Sequence, residues 1–332
     1  MEHGAMLRGT EIGRRQAIAA VAALALLPLQ DAFAQERPVR LLTGFPAGAT
    51  LDLVARALAD EMRAELGRPI VVENRAGASG RIANEALKSA APDGSTLLVA
   101  PVATLSIFPH AFGSALRYDP FKDFTPVAHV ARFPIGFGVG RHVPAQTLAE
   151  FVALARRDPA MRHYGSSAVG SIPHFLGLMF ARAAGIELAH VPYRGAAQAM
   201  TALAGGEIAA LAVAASDIGL MTAGGNARLL ATAGRRRSPA FPTVPTFREA
   251  GYDIEGEGSY ALFLPAGAPA EVVQRVSAAA TQALGRPAAR RRLEQLGLEP
   301  TGLGPVELAA IVRADYEHWG PTVRGSGLVL TD

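Results

Sequence analysis

The residues of this chain that could do chemistry are neutral hydrogen-bond donors set in loops, with few charges beside them. Thr50, Ser79, Thr104, Ser166, Ser167, Ser171 and Tyr193 carry hydroxyls, His174 follows Ser167 and Ser171 closely, and Arg81 and Arg194 are the nearby cations. The stretches Phe45-Pro46-Ala47-Gly48-Ala49-Thr50 and Ala78-Ser79-Gly80 add backbone N–H groups, as does Tyr193-Arg194-Gly195. A donor-rich set of this kind suits an anion such as a carboxylate, with helix dipoles adding about 0.3–1 kcal/mol each. Covalent catalysis is poorly served. Gly165-Ser166-Ser167-Ala168-Val169 is not a G-x-S-x-G elbow, and no other stretch supplies one. A dinucleotide fingerprint would need more glycines than Gly48 flanked by alanines, and the Walker lysine pattern is missing. The eight His are scattered, with no His-x-x-x-His pair or carboxylate cluster, and the chain has no Cys. No catalytic residue, metal or cofactor is therefore expected. The competing reading is an exported α/β enzyme, hydrolase-like, using His174 with Ser167 or Ser171.

The elements that must hold these groups are strand–loop–helix units. Val39 to Thr43 has the content of a buried strand, and Thr50 is placed to cap a following helix. Leu51, Val54, Ala55, Leu58, Met62 and Leu66 then recur at helical spacing. Ile70–Glu73, Asn74–Gly80 and Arg81–Ala90 repeat the pattern, and Ser95–Ala100 opens a third unit with the loop Pro101 to Ser106. Such repetition argues for a parallel sheet with helices on its faces. Val130 to Val139 could cross to a second domain, where Gly165–Ser171 leads into a helix near Ile172. There Glu187–Val191 and Ile208–Val213 read as strands, the latter followed by a loop through Ser216-Asp217. Tyr260–Leu264 would carry the chain back, and helices from Ala270, Ala288 and Pro305 (the last to Trp319) read as packing elements. The fold class expected is α/β, a two-lobed periplasmic binding protein of type II-like form. Each lobe is a mainly parallel sheet flanked by helices, with the ligand cleft between lobes beyond the strands' carboxyl ends.

Composition agrees with a folded chain. Of 332 residues, half are hydrophobic and 18% charged, enough apolar content to fill sizeable cores. The net charge of +3 is carried mostly by Arg, and Arg235-Arg236-Arg237 and Arg290-Arg291-Arg292 lack interleaved aromatics, so no nucleic-acid partner is expected. Residues 1–34 read as a signal peptide: Arg14-Arg15, an apolar run from Ala17 to Leu29, and Ala32-Phe33-Ala34 before Gln35. Both the general and the twin-arginine export routes stay open. The mature protein is expected to be soluble and periplasmic.

Taken together, several stretches resemble the periplasmic solute receptors of tripartite tricarboxylate transporters, the Bug or TctC type. They are Phe45-Pro46-Ala47-Gly48, Val72-Glu73-Asn74-Arg75-Ala76-Gly77-Ala78-Ser79-Gly80, Ala91-Pro92-Asp93-Gly94, and Tyr118-Asp119-Pro120 through Pro126. Tyr164-Gly165-Ser166 with Gly170-Ser171 and His174, His190-Val191-Pro192-Tyr193-Arg194-Gly195, and Arg237 through Gly251 complete the series. The resemblance implies a hinge-closing receptor with a discontinuous first domain, 35–138 and 259–332, and a second domain, 139–258. It also implies a small carboxylate ligand held mostly by loop amides and hydroxyls, delivery to a membrane permease of the tripartite transporter, and a chain acting as a monomer. One jaw would be Phe45, Pro46, Ala47, Gly48, Ala49 and Thr50 with Ala78, Ser79, Gly80, Arg81 and Thr104. The other would be Ser166, Ser167, Ser171, His174, Tyr193, Arg194 and Gly195, with Asp217. The family's usual Gly-Gly is here Gly48-Ala49, a frequent small hydroxyl is Leu51, and Gly-Gly-Asn is Ser79-Gly80-Arg81. Arg81 could thus add a contact to a second carboxylate. Many relatives carry an Asp after the strand Ile208–Val213, where this chain has Val213-Ala214-Ala215-Ser216 and only then Asp217, which favours a non-amino carboxylate. A sensory receptor presenting its closed form to a membrane signalling partner is a further reading that sequence cannot separate from transport.

Overall fold

The computed structural model describes residues 37–330, so the expected signal peptide lies outside the described residues. The chain begins with β1 (Val39–Thr43), α1 (Thr50–Leu66), β2 (Ile70–Asn74), α2 (Arg81–Lys88) and β3 (Thr96–Pro101). β1 pairs in parallel with both β2 and β3. Leu41, Leu42, Leu97, Leu98 and Val99 are all buried, as central strands covered on both faces require. The apolar face of α1 is the one its spacing predicts: Leu51, Val54, Ala55, Leu58 and Met62 are buried, while Leu66 is partly so.

After β3 the chain makes two short helices, α3 (Ala103–Ser106) and α4 (Phe108–Phe112), where sequence reading expects a loop. It then enters β4 (Phe124–Gly140), a 17-residue strand longer than the apolar run that announces it. The amino-terminal part of β4 pairs with β9 (Glu257–Pro265) and β10 (Glu299–Leu303), and its carboxyl-terminal part with β7 (Ala210–Ala214) and β8 (Ala227–Thr232). One strand therefore serves both parts of the sheet.

Past β4 come α5 (Leu148–Arg157), β5 (His163–Ser166), α6 (Ile172–Ala184), β6 (Ala189–Pro192), α7 (Ala196–Gly205), β7, α8 (Ala215–Ala223) and β8. β5 runs parallel to β6 and β7. Ser216-Asp217 thus opens a helix, not a loop. After β9 follow α9 (Ala270–Gly285), α10 (Pro287–Gln295), β10 and α11 (Pro305–Gly325). The strand β10 is a surprise, since Glu299-Pro300-Thr301-Gly302-Leu303 has no strand-like alternation; it forms only because β4 offers an edge. α11 runs past Trp319 and through Pro321, and Trp319 is buried with its ring 6.3 Å from Phe175 of α6. The core of the second part is aromatic: Phe137, Phe151, Phe180 and Phe247 meet at edge-on or stacked centroid distances of 5.0–6.4 Å. Such pairs favour one packing over alternatives.

Candidate functional site

Three loops follow the parallel strands β1, β2 and β3 in one part of the sheet, and their counterparts follow β5 and β6 in the other. In the first group, Gly44 and Gly80 bring two loops into contact: a Cβ on Gly44 would lie 2.5 Å from the Cα of Gly80. The Phe45 ring and the Thr104 methyl pack about the same point, 3.4 and 3.9 Å from where a Gly80 Cβ would stand. Asn74, at the end of β2, donates from one amide to the Phe45 carbonyl (3.0 Å) and to Asp52 (2.9 Å). Asp52 also accepts from the Gly48 N–H (2.9 Å) and Arg56 (3.0 Å), so one carboxylate ties the first loop to the second strand. Burial alone would raise the Asp52 pKa, but the hydrogen bonds from Arg56, Gly48 and Asn74 outweigh it and hold it below the ordinary value.

That wiring alters the expected role of Thr50. Ala49 occupies the cap position without a side-chain bond, and Thr50 is the first helical residue. Asp52, in the first turn, binds the Gly48 N–H ahead of the cap position instead. What the loop leaves outward are amides: those of Phe45 and Ala47 donate to no described group, nor do those of Ala78 and Ser79 in the second loop. Ala78 and Ser79 both adopt left-handed backbone, with φ of 46° and 56°. For non-glycine residues this costs on the order of 1–3 kcal/mol each, and strain of that kind concentrates at working sites.

Two first-group side chains turn inward. Arg81 is only 9% exposed, with its guanidinium carbon 4.1 Å from the Phe112 ring centre and its Nε donating to the Ala78 carbonyl (3.2 Å). It braces the strained turn. The buried Thr104 hydroxyl accepts from Asn84 (3.0 Å) and donates to the Pro101 carbonyl (2.8 Å), which occupies its proton.

In the second group, Ser166 closes β5 and Ser171 caps α6, accepting from the His174 N–H (3.4 Å) and donating to the Ala168 carbonyl (2.7 Å). The loop Tyr193–Gly195 is pinned alongside: Tyr193 and Gly195 N–H groups donate to the Ser166 and Ser167 carbonyls at 3.1 and 2.9 Å. The exposed Arg194 donates its own N–H to the Gln198 side chain (3.1 Å). The amides of Ser167, Ala168 and Val169 find no acceptor among the described residues. Gly170 packs toward Phe108 and Leu330, so the second loop group abuts the α3–α4 segment that follows Thr104.

Residues 54–328 match the family described as the tripartite tricarboxylate transporter family receptor. The chain belongs to this family. It is 30% identical over 306 residues to protein BugT of Bordetella pertussis, covering 89% of this chain and 90% of that one. Among solved structures it resembles MatC from Rhodopseudomonas palustris with bound malate (31% identity, TM-score 0.79, 87% and 99% of the two chains). It also resembles R. palustris Rpa4515 with adipate (29% identity, TM-score 0.83, 89% and 98%). The chain is thus a solute-binding receptor of the TctC/Bug type, with the α/β fold of periplasmic binding proteins.

In this receptor the hydrolase geometry does not form around the residues suggested for it. The His174 Nδ1 accepts from the Gly170 N–H (3.1 Å), and Ser171 is spent as a cap. The Ser–His contact present is a different one, Ser166 Oγ to His190 Nε2 at 2.7 Å. Ser166 is fully buried, and no carboxylate acts on His190: burial, then His174 beside it, push its pKa down to about 3. An exposed nucleophile and an oriented acid are both missing from that pair. His190 was legible only as part of a motif. Its pairing with Ser166 follows from the β5–β6 register, Tyr164 opposite His190, and cannot be read along one strand.

Asp217 stands in the first turn of α8, just past the carboxyl end of β7, which runs parallel beside β5, and it acts on Tyr260 of β9; burial raises its pKa to about 6. A surface groove of about 590 Å³ is lined by other residues, Lys88, Arg117, Tyr118, Lys122 and Tyr316 among them. Lys88 and Lys122 are already paired there with Asp123 and Asp119, so the groove has little unspent charge for an anion. Among the described residues no group of three or more acidic or His side chains could hold a metal, and no helix is long and apolar enough to cross a membrane.

Proposed function

We propose that this receptor captures a small carboxylate, without chemistry, between the loops Phe45–Thr50 and Ala78–Gly80 on one side and Ser166–Ser171 and Tyr193–Gly195 on the other. The observation that carries this is the set of unspent backbone amides in both groups, at the carboxyl ends of parallel strands. The carbonyls of Phe45, Pro46, Ala78, Ser166, Ser167 and Ala168 are taken up by internal bonds, so the loops offer mainly donors, as an acceptor-only ligand needs. A ligand end with oxygens and no protons is a carboxylate at neutral pH. The malate bound to MatC and the adipate found with Rpa4515 support a dicarboxylate.

In this reading residues 35–138 and 259–332 form one domain and 139–258 the other. The chain is a periplasmic monomer after signal cleavage, and closure of the two domains about β4 commits the ligand to a tripartite-transporter permease. The test is calorimetry and thermal shift on residues 35–332 with a panel of malate, adipate, monocarboxylates, sugars and nucleotides. A carboxylate at a hundredfold its Kd should stabilise the protein by about 2.7 kcal/mol. Stabilisation by sugars or nucleotides and by no carboxylate would overturn the proposal.

A further inference from the structure

We infer that His190 and His174 act together as positioning residues that set the shape of the loop Ser166–Ser171, so that its amides face outward as donors. The inference deepens the carboxylate reading and rests on it for the ligand, though not for the loop.

The two imidazoles stack with centroids 3.8 Å apart and planes 21° apart. Each holds one end of the loop. His190 Nε2 meets the Ser166 Oγ (2.7 Å) at the start, and His174 Nδ1 receives the Gly170 N–H (3.1 Å) at the end. The protons can be placed. Because His174 Nδ1 accepts, the His174 ring proton belongs on Nε2. The Ser166 Oγ also lies 3.1 Å from the Ala168 carbonyl, and a hydroxyl has one proton to give. Both of its contacts become hydrogen bonds only if His190 Nε2–H donates to Oγ and Oγ–H donates to Ala168. Ser171 donates to the same carbonyl, so Ala168 is drawn inward from two sides. The trans peptide that carries the Ala168 carbonyl has the Val169 N–H on its opposite side, and that amide is among those without an acceptor.

The fold makes this arrangement by packing. Tyr164, Ser166 and His190 share one face of the sheet because alternate strand residues do and Tyr164 stands opposite His190. Gly177 lets the Tyr164 ring lie against α6, since a Cβ there would be 2.1 Å from that ring. The Tyr164 hydroxyl then donates to the His174 carbonyl (2.7 Å). Stacked rings this close cannot both be charged, and burial favours the neutral forms. Tyr164 is the titratable neighbour from β5, and neither ring has a carboxylate or cation acting on it.

The experiment compares His190→Phe with His190→Gln in the mature protein. Phe keeps a ring for the stack and cannot donate; Gln places an N–H at the same bond count from Cα as His Nε2. Hydrogen exchange without ligand at the Gly170, Tyr193 and Gly195 amides, which donate to His174 and to the Ser166 and Ser167 carbonyls, reads the loop, and calorimetry with malate and adipate reads binding. In His190→Phe, exchange should quicken and affinity fall, each about tenfold for one lost hydrogen bond, with His190→Gln within about threefold of wild type. Unchanged exchange in His190→Phe, or a Gln variant as impaired as Phe at native Tm, overturns the inference. If His190→Phe does not fold, Ser166→Ala, which removes the bridging hydroxyl, must quicken the same amides, and failure to do so overturns it equally. Should neither malate nor adipate bind wild type, exchange still decides the loop, and only the carboxylate reading fails.

Discussion

Asp52 offers the sharpest quantitative test of how the first loop is held. Its carboxylate, 1% exposed, receives Gly48, Asn74 and Arg56. Asp52→Ala removes all three acceptor bonds and leaves one Asn74 N–H and the Gly48 N–H without protein partners. Hydrogen bonds to charged groups are worth about 1.5–3 kcal/mol each, at the low end here because water can reach the exposed Gly48. The Arg56 pair, half exposed and four residues away on a helix, adds only about 0.3–0.5 kcal/mol. The sum is about 3 kcal/mol, or a Tm lower by about 6–12 °C on the scale of 150–250-residue domains. The pH dependence has a fixed sign. A carboxyl held below its unfolded pKa contributes stability that is present above about pH 4 and disappears as pH falls through the folded pKa. Scanning calorimetry of wild type and Asp52→Ala from pH 8 downward should therefore show a gap that is widest at neutral pH and closes in acid. A Tm loss under about 1 °C at pH 7, or a gap unchanged in strong acid, would refute the reasoning.

Two further perturbations bear on Arg81 and Asp217, two charged residues among those expected at the site. Arg81→Ala removes the guanidinium over Phe112 and the bond to Ala78, so it should weaken mono- and dicarboxylates by the same factor; calorimetry showing loss for dicarboxylates alone would mean direct contact. Asp217, raised by burial to about 6, costs stability as pH rises from about 4 to 6 and carries that cost in full above it. Asp217→Asn should then stabilise by about 3 kcal/mol at pH 8 and by nothing near pH 3.5, measured by denaturant melts; equal effects at both pH values would show that its ionisation is not the cause.

Much of the scaffold was legible along the chain. Period and composition alone place β1, α1, β2 and α2, because central strands and amphipathic helices carry their burial in their own residues. The loops stand out as small-residue stretches between such elements, and the family motifs within them were readable in order. The roles inside the loops were less so. Thr50 looks like a cap, yet the loop is held by Asp52, which binds Gly48 and also Asn74 from another strand, 22 residues away. Arg81 looks like an open cation until Phe112 covers it.

What the sequence by itself determined is the α/β class, the order of its strand–loop–helix units and the family, since these rest on local patterns that repeat along the chain. Tertiary structure alone decided which hydroxyl is spent, which amide is left over, and that His190 meets Ser166. It also made β10 a strand and ran α11 beyond Trp319, whose ring lies near Phe175. The physical reason is the same in each case. A hydrogen bond or ring contact between residues far apart in sequence depends on register and packing, and neither is written in the neighbours of either residue.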